Sequence, residues 1–483
     1  MPGESYPDTR LKATLGELTP IFKKAFDVKS DGDVEWMMFT FAPGRVNLIG
    51  EHVDYMHGWV CPAAVLDGTH ILVGRVKHLV DEKQPKLRFY STIYRELFEL
   101  DSINGPTTGA KGDKSWKTFI RGAMTLRLKQ LGIDVGAQPL RGVCMVVHGT
   151  LPLGAGMSAS AAFGVSLLQT IDACATQSYK LATKPTPGRK YAILDRKPSE
   201  ELIQLAKQGR QIETDFCGVN IGIMDQFVSA LAEAGKFIFL DCKDLSYSIC
   251  SLEHVLGSKG EYCVMLIDSM IKHELIGESA NVYNTLRSDQ ESAEKKITEH
   301  VFGGKKTFTF TDWVRHPEAF GSCHSQAGDL MAKAKPHLTV GEFERGSYQI
   351  QEQLRTLEFK KVADPSKTPE LSHEERVRKA GALLNEAHEG MKKQLRNTTP
   401  EIDFIQEMLR HDKAVAGGRM MGGGFGGCVI TLVKRSERDR VIQDVRKEFK
   451  KRFNVENKVY KVDQLGSGVF SVSLASLNSA SKI

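Results

Sequence analysis

The stretch GIMDQFVSALAEAG, Gly222 to Gly235, sets Asp225 in an apolar context. A carboxylate partly buried there needs a cation or hydrogen-bond donors. A general base has the same needs, and so does a helix cap or turn residue, so both readings stay open at this point. Glu213 stands twelve residues earlier, on what reads as the preceding helix, and is a second carboxylate within reach. A separate segment, APGRVNLIGEHVDY, carries Arg45 at its head and Glu51, His52 and Asp54 at its end, around the apolar run VNLIG. That density of ionisable groups fits either a polar binding wall or a satisfied cluster at a strand end.

Two glycine-rich loops accompany these groups. PLGAGMSAS, Pro152 to Ser160, lies between an apolar strand pattern and a run of small apolar residues that predicts a helix over 159–175. Gly154 and Gly156 allow close backbone approach, and Ser158 and Ser160 fall where the helix begins. Amide groups and the helix dipole at such a start favour an anion, with a phosphate the natural guest. A plain strand–helix turn with a serine cap is the alternative. The sequence is not a Walker A loop, since no GK[ST] follows. RMMGGGFGGCVITLV, Arg419 to Val433, has five glycines in six positions broken only by Phe425. So much backbone entropy is hard to justify in a simple hairpin. The run predicts a wall pressed against a substrate or against the other loop, with a glycine-rich bulge as the alternative.

The elements that must hold these residues read as follows. EWMMFTFAPGRVNLIG predicts a strand, a Pro-Gly turn and a second strand. GVCMVVHG, KFIFLDC, YCVMLID, CVITLVKR and GVFSVSLASL predict further strands. ELIQLAKQGRQIETDF, HEERVRKAGALLNEAHEGMKKQLRN and DRVIQDVRKEFKKRF predict helices. The polar stretch near 176–200, with Pro185, Pro187 and Pro198, reads as a surface excursion, and 296–368 as irregular with short helices. Strands and helices alternate without a regular βαβ period, which predicts an α+β fold in two lobes divided at 245/246.

The 483 residues suffice for two or three domains. Apolar residues at 41% and charged residues at 26% match an ordinary globular protein. A net charge of +6 is too slight to argue for nucleic acid, though it would help attract an anionic substrate. The polar N-terminus predicts no signal peptide, and the apolar runs fall far short of the ~20 residues a membrane helix needs. Nine scattered cysteines without a CxxC pair predict reduced thiols in an intracellular, cytoplasmic protein, with neither disulfide frame nor zinc site.

Taken in order, these segments resemble the galactokinases of the GHMP small-molecule kinase superfamily. GRVNLIGEHVDY is similar to the family's GRVNLIGEHTDY signature, and PLGAGMSASAAF to its phosphate loop PxGxGLSSSAS. GIMDQF and RMMGGGFGGCVI match two further blocks, and SWKTFIRG, IDSMIKHEL and AHEGMKKQLRNTTPEID match more weakly. The resemblance runs from about Phe41 to Leu432. It implies a two-lobed GHMP fold, with a mixed sheet and helices in the N-terminal lobe, a ferredoxin-like C-terminal lobe and the active site between them. It implies transfer of the γ-phosphoryl of ATP to the C1 hydroxyl of galactose, with Asp225 as base and Arg45 opposite it. Glu51, His52, Asp54, Gly222, Tyr283, Arg45 and Asp225 would contact the sugar. Pro152, Leu153, Gly154, Ala155, Gly156, Met157, Ser158, Ala159 and Ser160 would hold the phosphates, and Trp116 would stack adenine. Mg²⁺ would be the cofactor, held by Ser160 and Glu213, since this ion needs few protein oxygens. The implied partners are galactose and ATP, with no nucleic acid and no membrane, on a monomer.

Departures from the family pattern are Val53 for the usual Thr, Met56 and His57 after the Tyr, Ala159 within the serine run, Gly164 for a common Glu, and Leu286. The sugar-facing ones keep N-acetylgalactosamine or arabinose as rival substrates. A non-catalytic galactose- and ATP-binding sensor is a rival of another class, against which the retained base and loop length argue. The last residues, Ser481, Lys482 and Ile483, resemble a peroxisomal SKL tripeptide, which would send the protein to a peroxisome-like organelle such as a glycosome.

Overall fold

The computed structural model describes residues 6–104, 115–152, 154–180, 191–271 and 278–474, with the side chains at 179 and 278–284 outside the description. The tripeptide Ser481–Ile483 lies outside the described residues. The strand Val34–Asn47 runs through the middle of a seven-stranded sheet, between Pro62–Val76 and Phe470–Leu474. Its side chains alternate between two cores. Met37, Phe39 and Phe41 pack under the N-terminal helix Asp8–Ala25, and Met38 and Ala42 face the core that holds the helix Ala159–Thr176. Burial on both faces explains why this strand reads as a nearly continuous apolar run.

The Pro-Gly turn expected within this segment is absent. The strand continues through Pro43 and Gly44, and its pairing with Pro62–Val76 shifts register between Pro43 and Arg45. A proline fits such a bulge because it has no ladder N–H to offer. Gly44 is required by close approach: a Cβ there would lie 2.5 Å from the carbonyl oxygen of Met157. The bulge thus seats the strand against the loop before the helix Ala159–Thr176 and aims Arg45.

The remaining strands of this sheet are Glu96–Leu100, Leu87–Ser91, Val143–Gly149 and, at the other edge, Ala192–Ile193. Only the pairing of Leu87–Ser91 with Val143–Gly149 is parallel. The stretch expected as a surface excursion therefore ends in buried chain, since 191–194 returns to the sheet edge. The final strand Phe470–Leu474 also pairs here, so the sheets do not follow a strict division at 245/246.

A second, four-stranded sheet has the order Val415–Met421, Cys428–Lys434, Tyr262–Asp268, Val459–Val462, all antiparallel. In chain order this is 2-3-1-4, the ferredoxin-like arrangement. Helices Pro400–His411 and Arg438–Phe453 cover one face through Ile402, Ile405, Val445 and Phe449. The other face shares a core with Val46, Leu48 and Ile49 of the ionisable segment, so that segment is packed between the two sheets.

The region expected to be irregular holds a helix of 24 residues, Val340–Ala363. Its start is a capping box in which Thr339 accepts from the Glu342 amide. The buried face carries Gln349, Glu352, Gln353 and Thr356 among its apolar residues, which breaks the apolar period that marks a helix in sequence. Among the described residues no disulfide joins the cysteines, and no helix is long and apolar enough to cross a membrane.

Candidate active site

Asp225 and Arg45, 180 positions apart, form a two-pronged ion pair: Arg45 Nε donates to Asp225 Oδ1 at 2.8 Å and Nη2 donates to Oδ2 at 3.1 Å. This fork geometry fixes the plane of the carboxylate as well as its charge. The Arg45 side chain is 5% exposed and that of Asp225 is 29% exposed, so the pair opens to solvent on the carboxylate side. Arg45 also ties to the first glycine-rich loop, since Nη1 donates to the Gly156 carbonyl and the backbone amide donates to the Met157 carbonyl at 3.1 Å.

The loop from Pro152 to Ser158 leads into the helix Ala159–Thr176 as expected, with Leu153 outside the described residues. Ser158 occupies the capping position in left-handed backbone (φ 61°, ψ 47°), yet its side chain caps nothing. Its hydroxyl instead donates to Asp225 Oδ2 at 2.5 Å. The second glycine-rich loop presses against this one. A Cβ on Gly156 would lie 3.1 Å from the Met421 carbonyl oxygen, and Gly422 packs on Gly156. The same loop is tied to Asn397, whose carbonyl accepts from the Phe425 amide at 2.6 Å.

The ionisable segment is divided between two environments. Glu51 is buried and accepts from Arg419 Nη1 at 2.8 Å. Burial alone would raise its carboxyl, but Arg419 and then Arg45 outweigh burial and hold it below the usual carboxylate range. His52, in left-handed backbone, sets Nδ1 against the Tyr55 hydroxyl at 3.1 Å and Nε2 against Asn397 Nδ2 at 2.9 Å. Burial pushes its imidazole down to about 4 against the pull of Glu51. Asp54 behaves oppositely: burial, then Asp225 and Glu51, push it up to about 7. Gly222 lies hard against it, and a Cβ there would fall 1.8 Å from Asp54 Oδ2. Asp54, Gly222, Asp225, Arg45 and Ser158 therefore share one corner of the molecule, whereas the side chains of Glu51 and His52 are taken up by Arg419, Tyr55 and Asn397. The side chain of Tyr283 is outside the described residues.

Four residues that support this corner carry no chemistry-bearing motif of their own in the sequence. Arg419 is fully buried, and besides Glu51 its guanidinium serves the carbonyls of Leu48 at 3.0 Å, Asn47 at 2.6 Å and Met420 at 2.6 Å. Glu352 accepts from the amides of Gly50 at 2.9 Å and Glu51 at 3.3 Å. Tyr348 and Gln349 donate to the carbonyls of Glu51 and His52 at 3.1 and 2.6 Å. The one available signal was the position of Arg419 directly before MMGGGFGG. The residues on the 340–363 helix gave none.

Glu213 is buried and sits on a π turn, Ile212–Phe216, that ends the preceding helix. Its Oε1 accepts from Gln226 Nε2 at 2.7 Å, which links it to the neighbour of Asp225. Ser160 is exposed, one turn before Gly164 on the same helix face. Gly164 packs against Ile212 and Gly209. Among the described residues no group of three or more His, Cys, Asp or Glu side chains is placed to hold a metal. Trp116 is buried at the start of the helix Trp116–Leu131, donates to Glu96 at 3.3 Å and stacks on Tyr94 at 6.1 Å between ring centres.

Residues 21–75 match the galactokinase galactose-binding signature, 118–233 the GHMP kinases N-terminal domain and 369–451 the GHMP kinases C-terminal domain. A galactokinase of Thermosipho africanus is 30% identical over 422 residues, which cover 87% of this chain and 96% of that protein. The chain belongs to the galactokinase family.

A galactokinase of Staphylococcus carnosus is 27% identical over 437 residues, covering 89% of this chain and 93% of that protein. The fold of this galactokinase-family member is also that of the Lactococcus lactis galactokinase solved with galactose, with a TM-score of 0.73 at 24% identity, covering 94% and 99% of the two chains. Methanococcus jannaschii mevalonate kinase shares it more distantly, with a TM-score of 0.53 at 14% identity over 90% and 99%. The galactokinase signature block is the segment that Arg419 and the 340–363 helix hold in place. Of its departures, Val53 and Met56 are core residues, and His57 is exposed in left-handed backbone.

Proposed function

We propose that this galactokinase-family chain transfers the γ-phosphoryl group of ATP to the anomeric C1 hydroxyl of galactose, giving galactose 1-phosphate and ADP. The observation that carries the reading is the forked Arg45–Asp225 pair, open to solvent on its carboxylate side, bonded directly to the phosphate loop and beside Asp54 and Gly222. Asp225 accepts or orients the C1 proton as the sugar oxygen bonds to the γ-phosphorus and the bond to the ADP oxygen breaks. Arg45 offsets the negative charge that spreads over the transferring group. Asp54 and Gly222 lie where sugar hydroxyls would sit, and the turn anchored through Glu51 and His52 shapes that wall from behind. A carboxylate suits a polyol because it accepts along fixed directions, and donates when protonated. The backbone of 152–160 cradles the phosphates, and Trp116 bounds the adenine side next to the exposed Tyr94 and Leu97. Residues 1–245 supply Arg45, Asp54, Gly222, Asp225 and the 152–160 loop, and 246–483 supplies the second sheet and one strand of the first.

Ser160 and Glu213 are the residues that would hold Mg²⁺. One exposed hydroxyl and one carboxylate oxygen suit a hard cation that keeps most of its waters. Bound there, the ion would neutralise charge on the β- and γ-phosphate oxygens. The protein acts as a monomer in the cytoplasm.

The core positions of Val53 and Met56 remove the main reason to prefer a different sugar, because a buried methyl packed near Gly58 is a fold residue. The test is ADP release with ATP over a panel of galactose, N-acetylgalactosamine, arabinose and no sugar. Turnover greatest with galactose supports the reading. Turnover greatest with another sugar replaces the substrate, and galactose binding without ADP release would make the protein a sensor.

A further inference from the structure

We infer that Ser158 is a positioning residue for the base Asp225, and that its hydroxyl commits Asp225 Oδ1 as the atom that receives the substrate proton. The inference rests on the proposed kinase reaction and deepens it. An ionised carboxylate has about four acceptor positions, two on each oxygen. On Oδ2 both are used, by Arg45 Nη2 at 3.1 Å and by Ser158 Oγ at 2.5 Å. On Oδ1 one is used, by Arg45 Nε at 2.8 Å. The remaining position on Oδ1 is where a substrate hydroxyl can be received.

The local backbone supports a dedicated role. A serine at the start of a helix normally turns its oxygen back to the helix amides. Ser158 forgoes that bond and adopts a left-handed conformation that costs a non-glycine residue energy. Its hydroxyl crosses instead to another helix, 67 positions along the chain. Together with the two bonds from Arg45 to Gly156 and Met157, this makes three links between the phosphate loop and the Arg–Asp pair. The loop that positions the donor phosphate thereby also orients the base. Ser158 acts through Asp225, and the phosphates are left to the loop backbone.

The test uses the full chain with Ser158→Ala and Ser158→Gly, the latter because glycine keeps the left-handed backbone at no cost. Wild-type turnover with ATP and galactose is measured first. Its absence would fail the kinase reading and leave ATP binding intact as a separate result. Given wild-type turnover, both variants should lose about tenfold in kcat or more, the worth of one hydrogen bond to a charged group. KM for ATP and for galactose should stay within about twofold, as should calorimetric ATP affinity. In an Asp225→Asn background, adding Ser158→Gly should cost less than about twofold, since the group it acts on is already altered. A raised KM for ATP with unchanged kcat would overturn the proposal and make Ser158 a phosphate ligand. An undiminished tenfold loss in the Asp225→Asn background would overturn it too, because the hydroxyl would then act elsewhere.

Discussion

Replacing Arg419 with Met should destabilise the protein in a way that depends on pH. Arg419 is fully buried and its four hydrogen bonds all end on buried chain: Glu51 and the carbonyls of Asn47, Leu48 and Met420. The substitution keeps most of the side-chain volume but strands the Glu51 carboxylate, 3% exposed, without its main cation. Breaking a buried pair from one side costs about 3–5 kcal/mol. Unfolding entropy near 60 °C is about 2.1 cal/mol/K per residue, or roughly 1 kcal/mol/K for a chain of 483 residues. If the chain melts as one unit the Tm falls by about 3–5 °C, and by roughly twice that if one lobe melts alone.

The sign of the pH dependence separates stranded charge from lost packing. In the wild type Glu51 lies below its ordinary range, so its contribution is present above the unfolded pKa and is lost only as pH falls through the lower folded value. Without Arg419 the burial contribution dominates and Glu51 takes up a proton as pH falls from 7 to 5, which relieves the cost. Calorimetric scans at a fixed rate should therefore show the Tm gap narrowing from pH 7 to pH 5. The pair Glu51→Gln and Arg419→Met together should be more stable at pH 7 than Arg419→Met alone. A gap independent of pH, with the double variant as damaged as the sum of the two singles, would refute the reasoning.

Asp225→Ala should cut phosphorylation by about 10²–10⁴-fold and leave galactose and ATP binding near wild type, as checked by single-turnover assay and calorimetry. Asp54→Ala should weaken galactose binding by about 1.5–3 kcal/mol with nucleotide affinity unchanged, measured by titration calorimetry. Asp54 is pushed up to about 7, so it favours the folded state below the unfolded pKa and loses that contribution as pH rises to about 7. Asp54→Asn should therefore gain stability over wild type progressively between about pH 4 and 7 and hold a constant gain above, read as Tm across that range. Glu213→Gln should raise the Mg²⁺ concentration needed for half-maximal turnover, since it removes a negative oxygen from a site with few protein ligands.

What the sequence conveyed follows from how local each signal is. The first glycine-rich loop is legible because glycine and serine spacing before a helix is a short-range pattern, and the helix Ala159–Thr176 does start directly after Ser158. The strand at 34–47 was misread because Pro43-Gly44 is a turn dipeptide in isolation. What keeps it extended is the Met157 carbonyl and Leu151 pressing on Gly44, more than a hundred positions away. The 340–363 helix was missed for a related reason. Its inward face is built from Gln349, Glu352, Gln353 and Thr356, which serve the backbone of 50–56 and neighbouring groups on the helix itself and at Thr311. A helix whose buried residues pair with backbone polar groups has no apolar stripe to read.

The same contrast explains why one short segment carries so many charged groups. Glu51 and Asp54 are three positions apart, yet the first is kept ionised by Arg419 and the second is driven toward the neutral form by burial and by Asp225. Glu51 serves as an anchor through Arg419, joining the segment to the strand Val415–Met421. Asp54, against Gly222 and within the influence of Asp225, is left where, in the proposed reaction, a carboxyl near neutrality would either donate to or accept from a sugar hydroxyl. Anchoring and recognition are thus assigned to different carboxylates by the turn at Gly50–Asp54. The amides of Gly50 and Glu51 on Glu352 and the carbonyls of Glu51 and His52 on Tyr348 and Gln349 hold that turn. A change on the 340–363 helix would therefore reach Asp54, on the proposed sugar side, without touching it.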